Sequence, residues 1–225
     1  MQQWLGWIQE LLWIWMQQLK VCSSQKKCLN RCLWIFVVLK LEMMCIFPLI
    51  KLLKLGPGDK YTGYRVSLTA NYPPMAVPLK LDITTGDKIT PREIIYEFKL
   101  LLEGRTIKIL AYNLETVMAE KIETVITRGD QNTRSRDFYD IYVLYELQGK
   151  NIDYTSLKKA VQATAKNRNS LEIVKKYKEI ISVIKGSDTM QKYWKDYQKD
   201  FEYAVDIEFN DTLKSLEQIL ILIQI

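Results

Sequence analysis

The stretch YRVSLTANYPPMAVPLKLD, residues 64–82, decides the fold of this 225-residue chain. Apolar residues recur at every second position on both sides of its Asn-Tyr-Pro-Pro centre, which is the period of a half-buried strand. The centre itself has the composition of a turn. Lys80 and Asp82 share the more polar face of the second run. The pattern therefore predicts two strands, over residues 61–70 and 75–82, joined by a turn.

Strand patterns continue to residue 110, and helical patterns follow. Residues 94–101 and 106–110 read as two further strands. Asn113 suits the N-cap of a helix that ends before Gly129, and a second helix is expected over residues 135–148. Further helices are predicted over residues 154–168, 170–185, 189–203 and 211–223. The apolar and charged fractions, 48% and 26%, are close to globular averages, so we expect a folded α+β protein.

One lysine interrupts the apolar stripe of the first helix. Lys121 lies three and four residues from Met118 and Val117, on the face that the core should cover. Either its stem packs on the core while the ammonium reaches outward, or the cation points into a cleft.

The second helix carries two acids on its apolar side. Asp137 and Asp140 share a face with Ile141 and Leu144, and Arg136 precedes Asp140 by one turn. The arrangement is consistent with a solvated ion pair plus an acid near a helix N-terminus. Taken alone, it is less typical of a functional pair of carboxylates, which stays the alternative.

The absence of histidine limits the chemistry. With no His in the chain, a Ser-His-Asp triad, a His metal site and an imidazole base are all excluded. Any catalysis must use carboxylates, Lys, Arg, Tyr, Ser or Cys.

Residues 1–56 differ in composition from the rest of the chain. They hold five of the six Trp, all four Cys and no Asp, with seven Lys and Arg against two Glu. No run of about 18 uncharged residues occurs in them, so a membrane span is not expected. The cysteines have neither the spacing nor the His partners of a zinc site, which favours free thiols in a cytoplasmic chain. The positive charge gathers in this segment and is weak support for a nucleic-acid partner of the main domain.

Several motifs in order resemble the AbiEii/AbiGii toxin family. The resemblance covers about residues 59–147 and rests on KLDITTGD (80–87), ITP (89–91), IKILAY (107–112), LET (114–116), AEK (119–121) and NTRSRDFYDIY (132–142). It implies an incomplete nucleotidyltransferase sheet of the polymerase-beta type, in residues 57–112, followed by a helical domain in residues 113–225.

The resemblance also implies a reaction and its residues. Family members transfer a nucleotide from a nucleoside triphosphate, with Mg²⁺ bridging carboxylates and phosphates. They act beside an antitoxin that is often a transcriptional regulator, and tRNA is one candidate acceptor. By position, Asp82 would be a metal ligand with Lys80 on the same face, Lys121 would bind the triphosphate, and Asp137 and Asp140 would be the acidic pair. Asp137 would orient or deprotonate the acceptor, and Arg134 or Arg136 would hold phosphate or nucleic acid.

The family's first motif, a Gly-Ser or Gly-Gly turn before Asp-x-Asp, is missing. It should precede residue 57, where no Asp occurs. Because Trp is encoded only by TGG and codons for Ile and Met begin AT, the shifted frame turns the Trp13/Ile14 and Trp15/Met16 junctions into Asp. We therefore hypothesise that residues 1 to about 56 are an out-of-frame translation of the catalytic strand, which leaves activity open.

Three functions remain to be separated. The first is a nucleotidyltransferase toxin impaired by loss of the metal motif. The second is a non-catalytic remnant that binds an antitoxin or RNA, and the third is an effector anchored to a membrane by the Trp-rich opening.

Overall fold

The computed structural model describes residues 49–55, 63–72, 74–83, 88–100 and 104–225. The predictions for residues 1–48, including the tryptophan junctions and the cysteines, lie outside the described residues. The chain divides into two compact units. The strand unit contains the described residues up to 83 together with residues 95–110, and the helical unit contains residues 88–94 and 111–225.

Three antiparallel strands form the main sheet of the strand unit. They are β1 (Leu49–Leu55), β2 (Gly63–Tyr72) and β3 (Met75–Ile83), in the order β1-β2-β3. Val66 and Leu68 of β2 are buried, as the alternating pattern predicts, and Ile83 at the end of β3 is buried as well. Met75, Val77 and Leu79, on the apolar face predicted for β3, are exposed. A second, two-stranded sheet consists of β4 (Ile94–Lys99) and β5 (Thr106–Ala111). All four predicted strands are confirmed, and β1 adds a strand that the sequence did not predict.

Seven helices are described in the helical unit. They are α1 (Leu114–Arg128), α2 (Ser135–Gln148), α3 (Tyr154–Asn167), α4 (Leu171–Lys175), α5 (Tyr177–Lys185), α6 (Asp188–Asp200) and α7 (Phe209–Ile223). Short 3-10 turns lie at Gly129–Gln131, Gly149–Asn151 and Glu202–Ala204. The predicted α+β class, strands followed by a helical region, is confirmed. None of these helices combines the length and the apolarity needed to cross a bilayer.

Asn113 fixes the start of α1. Its Oδ1 accepts a hydrogen bond from the backbone N–H of Thr116 at 3.1 Å, and its Nδ2 donates to the carbonyl of Thr90 at 2.8 Å. The Thr116 hydroxyl also donates to that carbonyl and accepts from the N–H of Thr90. The helix ends at Gly129, whose φ of +54° suits glycine. The predicted cap and end are confirmed.

The core of the helical unit is formed mainly by α1, α2, α3 and α7. Ile122 of α1, Phe138 of α2 and Leu216 of α7 are among its fully buried side chains. Phe138 meets Phe209 edge to face at 5.4 Å, a favourable aromatic geometry. This packing holds α1 and α2 in fixed positions beside each other.

One predicted helix is interrupted. Residues 170–185 were expected to form a single helix, but α4 ends at Lys175 and α5 begins at Tyr177. The buried side chains Val174, Tyr177, Ile181 and Ile184 keep the three-and-four spacing across the junction. The apolar pattern therefore gave no sign of the break.

Candidate functional site

Five charged side chains of the α1–α2 region lie together and are named here the α1–α2 charge cluster: Lys121, Arg134, Arg136, Asp137 and Asp140. The Nζ of Lys121 lies 2.6 Å from Oδ2 of Asp140 and 3.4 Å from Oδ1 of Asp137. The Nε of Arg134 lies 3.0 Å from Oδ2 of Asp137, and the Nε of Arg136 lies 3.9 Å from Oδ2 of Asp140. The structure thus brings together most of the site residues that the sequence indicated.

Helix geometry explains the meeting of these groups. Asp137 and Asp140 are three residues apart, so both project from the side of α2 that faces α1. Lys121 projects from α1 between buried neighbours, and its side chain is 22% exposed. Its ammonium therefore points at the two carboxylates rather than freely into solvent. Lys121 is thus an ion-paired cation, and its direction into a cleft stays a prediction.

Asp137 is the most buried charge of the cluster. Its side chain is 3% exposed, and it lies in the first turn of α2, where the helix dipole stabilises an anion. Oδ1 is within 3.4 Å of the donors on both Lys121 and Arg134. Oδ2 lies 3.0 Å from the Nε of Arg134, in ionic contact but without hydrogen-bond geometry.

Asn132 precedes α2 and stabilises the turn at the start of this helix. It is fully buried, and its Oδ1 accepts a hydrogen bond from the backbone N–H of Arg134 at 3.0 Å. This bond fixes the turn that places Arg134 beside Asp137. The Nδ2 of Asn132 has no hydrogen-bond partner. The sequence analysis assigned no role to Asn132, although an Asn shortly before a helix start is the usual signal of such a turn.

The accessible groups of the cluster are mainly cations. The side chains of Arg134 and Arg136 are more than half exposed, whereas the carboxylates are shielded. An approaching anion therefore meets two guanidinium groups before it meets a carboxylate. Guanidinium and ammonium groups are the usual ligands of phosphate.

The strand unit presents a different arrangement around Asp82. Asp82 lies opposite Arg65 in the β2–β3 register, and their side chains form two parallel hydrogen bonds of 2.6 Å. These hydrogen bonds hold the pKa of the Asp82 carboxyl below its usual range and raise the pKa of Arg65. Lys80 lies opposite Ser67 on the same face, as the sequence predicted.

This surrounding does not fit a divalent cation at Asp82. Both carboxylate oxygens are taken by Arg65, and Lys80 adds a second positive charge. Within the described ranges, no three acidic or Cys side chains gather into a metal-binding group. Mg²⁺ therefore stays a prediction from the family resemblance, and no chemical step is assigned to it here.

The site predictions thus fall into two groups. Lys121, Arg134, Arg136, Asp137 and Asp140 meet in the helical unit, while Lys80 and Asp82 lie in the strand unit. That the two groups converge on one cavity stays a prediction.

Arg65 was missed by the sequence analysis. Arg65 and Asp82 are equally far from the Pro73-Pro74 turn, so pairing across that turn places them opposite each other. The turn position was enough to find this ion pair.

Comparison with known protein families identifies the family of this chain. A family model described as "Nucleotidyl transferase AbiEii toxin, Type IV TA system" matches residues 44–220. The chain belongs to this family. The resemblance predicted from the sequence is confirmed.

Two further comparisons give no additional information about the family or the function. No curated protein matches the chain. A crystal structure provisionally described as a nucleotidyltransferase from H. pylori is 15% identical, with 90% of this chain and 74% of that chain covered. Its TM-score of 0.38 is too low to support an argument about this chain.

The family match begins at residue 44, and β1 spans Leu49–Leu55. Both therefore include part of the segment formed by residues 1–56.

Proposed function

We propose that this chain is the toxin of a cytoplasmic type IV toxin-antitoxin pair and transfers a nucleotide from a nucleoside triphosphate to a nucleic-acid acceptor, with tRNA as one candidate. The observation that carries the proposal is the α1–α2 charge cluster. It places a shielded lysine and two exposed arginines next to a buried carboxylate. The antitoxin partner, expected to be a transcriptional regulator, follows from the family.

The cluster suits phosphoryl chemistry that needs positioning and charge neutralisation. Lys121 and Arg134 both contact Asp137, and either cation can exchange the carboxylate for a phosphate oxygen. Movement of Arg134, which is largely exposed, uncovers Asp137. Oδ2, which Arg134 contacts at 3.0 Å, is the oxygen proposed to accept the proton of an acceptor hydroxyl once Arg134 has moved.

The reaction then balances as a single displacement. The acceptor oxygen forms a bond to the α-phosphorus, the bond to the leaving pyrophosphate breaks, and the hydroxyl proton passes to Asp137. The Lys121 ammonium offsets negative charge on the phosphates. We propose that this activity is impaired, because the Asp-x-Asp motif is absent from residues 1–56.

Transfer of label tests the proposal directly. The full chain is incubated with each α-labelled nucleoside triphosphate, total tRNA and Mg²⁺, and label on the RNA is measured. We expect weak transfer that Lys121→Gln and Asp137→Asn abolish. The matched control Lys185→Gln, an exposed lysine at the end of α5, should leave transfer unchanged. Equal transfer by the wild type and both site variants would exclude the assigned roles.

A second candidate function is a non-catalytic protein that binds the antitoxin or RNA. The observation in its favour is that Asp82 is neutralised by Arg65 and that no metal-binding group forms among the described residues. In that case the chain retains RNA or the antitoxin on a column but leaves no label on any acceptor.

The gene's nucleotide sequence tests the origin of residues 1–56. We propose that the neighbouring frame encodes Asp-x-Asp across the Trp13 to Met16 region and is open up to about residue 56. A chain expressed from the restored frame should transfer label far faster than the present one. Stop codons in that frame contradict the frameshift hypothesis.

A further inference from the structure

A groove lies in the helical unit between the start of α2 and the helix α6. Its volume is about 400 Å³, near the lower end of the range for small-ligand sites. Arg134 and Arg136 line one side, and Tyr193, Tyr197 and Phe201 line the other. We name it the α2–α6 groove.

The aromatic side of the groove is a preformed surface. The rings of Tyr197 and Phe201 lie 4.7 Å apart, and the Phe201 ring lies 5.4 Å from Tyr203. The hydroxyls of Tyr197 and Tyr203 are 3.0 Å apart and hydrogen-bonded. These contacts fix the ring of Phe201, which lines the groove and remains 39% exposed, while Tyr203 packs against it from outside the lining. Fixed, exposed aromatic rings are the surfaces on which unpaired bases stack.

The opposite side of the groove supplies positive charge. The Arg136 side chain is 76% exposed, and its nearest carboxylate contact, Asp140, is 3.9 Å away, too long for a hydrogen bond. Its guanidinium is therefore open to a phosphate from solvent. Arg134 lies on the same side and also contacts Asp137. An anion in the groove therefore lies beside the carboxylate to which the proton transfer is assigned.

Two carboxylates also line the groove and limit the choice of ligand. Asp196 is already paired with Lys199 at 2.8 Å, and Asp200 stands at the end of α6. A ligand that is all phosphate would meet repulsion from these acids. A nucleotide suits the groove better, because its sugar hydroxyls and base amino groups donate hydrogen bonds to carboxylates while its phosphate meets arginine.

We propose that the α2–α6 groove binds one nucleotide of a single-stranded nucleic acid, with its base on Phe201 and its phosphate at Arg136. This inference rests on the proposed function, since it gives the acceptor strand its place beside Asp137. Duplex is excluded as the ligand because its bases are stacked within the helix and cannot reach the Phe201 ring.

Binding of short fluorescein-labelled oligoadenylate strands tests the inference, with no nucleoside triphosphate present. Anisotropy of the full chain is measured at several salt concentrations for RNA and DNA strands. Phe201→Ala should weaken binding about tenfold through loss of stacking. Arg136→Gln should weaken it by about threefold to tenfold and reduce the salt slope by about one. Tighter binding of RNA than DNA would identify RNA as the source of the strand.

Matched controls separate the groove from general charge and folding effects. Leu147→Ala removes an exposed apolar side chain at the far end of α2, and Lys185→Gln removes a remote charge. Both should bind as the wild type does. Circular dichroism of Arg136→Gln and Phe201→Ala should show the wild-type helix content. If Phe201→Ala unfolds, Arg136→Gln still tests the groove, because Arg136 is exposed and its replacement should not disturb the fold.

The outcomes distinguish this inference from the proposed function. Groove-dependent binding without label transfer supports the inference and contradicts the enzymatic function. Label transfer with unchanged binding by both groove variants overturns the inference alone. Equal competition by duplex RNA or by polyglutamate also overturns it, because the groove would then be a general anion site or a site for an acidic protein.

Discussion

Replacing Lys121 with Met should destabilise the helical unit, because Lys121 is the shared partner of two carboxylates. The ammonium is 2.6 Å from Asp140 and 3.4 Å from Asp137, whose side chain is 3% exposed. Methionine keeps most of the side-chain length and removes only the charge and its hydrogen bonds. The substitution therefore leaves a buried carboxylate with one cation fewer.

The expected magnitude follows from the remaining partners. Removing one member of a fully buried ion pair costs about 3–5 kcal/mol. Arg134 still lies beside Asp137, and part of the Lys121 side chain reaches water, so we expect a loss of about 2 kcal/mol in the free energy of unfolding. For a chain of this size that corresponds to a fall in Tm of roughly 4–8 °C.

Urea unfolding followed by circular dichroism at the helix signal measures this loss. Lys185→Met is the matched control, since an exposed lysine away from the cluster should change stability by less than about 0.5 kcal/mol. In the Lys121→Met background, Asp137→Asn should be less harmful than in the wild type, with a coupling of about 1 kcal/mol or more. Additive effects, or a Lys121→Met variant as stable as the control, would refute the cluster as described.

Three further predictions follow from other contacts. Asn113→Ala should lower the free energy of unfolding by about 1–2 kcal/mol, because it removes the cap of α1 and the hydrogen bond to Thr90. Asn113→Ser keeps a cap acceptor and should lose less stability in the same urea experiment. Arg65→Gln should raise the pKa of Asp82 toward its ordinary value in a carboxyl NMR titration, and an unchanged titration would contradict the ion pair. Because the pKa of Asp82 is lowered in the folded state, the stabilisation is present above pH about 3.8 and is lost as pH falls through the folded-state pKa. Burial, then the hydrogen bond between the Tyr197 and Tyr203 hydroxyls, raises the pKa of Tyr197. Its contribution to stability is therefore present below pH about 10 and is lost as pH rises through the folded-state pKa. Tyr197→Phe should unfold less readily than the wild type at alkaline pH, and an identical alkaline profile would count against this assignment.

Local patterns in the sequence were sufficient for most of the fold. Both runs of residues 64–82 alternate, which places Lys80 and Asp82 on one face of β3. The turn between the runs fixes the register that sets Asp82 opposite Arg65. Asn113 and Gly129 marked the two ends of α1 because capping is a short-range property. The break at Lys176 was invisible for the opposite reason: the buried spacing continues across it, and only packing against other helices separates α4 from α5.

The site was partly predictable for a related reason. Lys121, Asp137 and Asp140 were predicted to be site residues because charges on an apolar stripe need partners. In the structure Lys121 forms ion pairs with both aspartates. The burial of Asn132 and of Asp137 depends on the angle at which α1 and α2 meet. No sequence period encodes that angle. Of the aromatic residues on and just after α6, Tyr197 is buried and Phe201 is 39% exposed, a difference that also depends on how the helices pack.

The pairing of Lys121 with Asp137 and Asp140 gives the protein an internal competitor for anions. Any ligand that takes the ammonium must replace two carboxylates that are already within 3.4 Å of it. In the proposed reaction, a triphosphate would offset that loss by spreading several charges over the neighbouring arginines as well. We therefore expect triphosphates to compete for Lys121 better than free orthophosphate does.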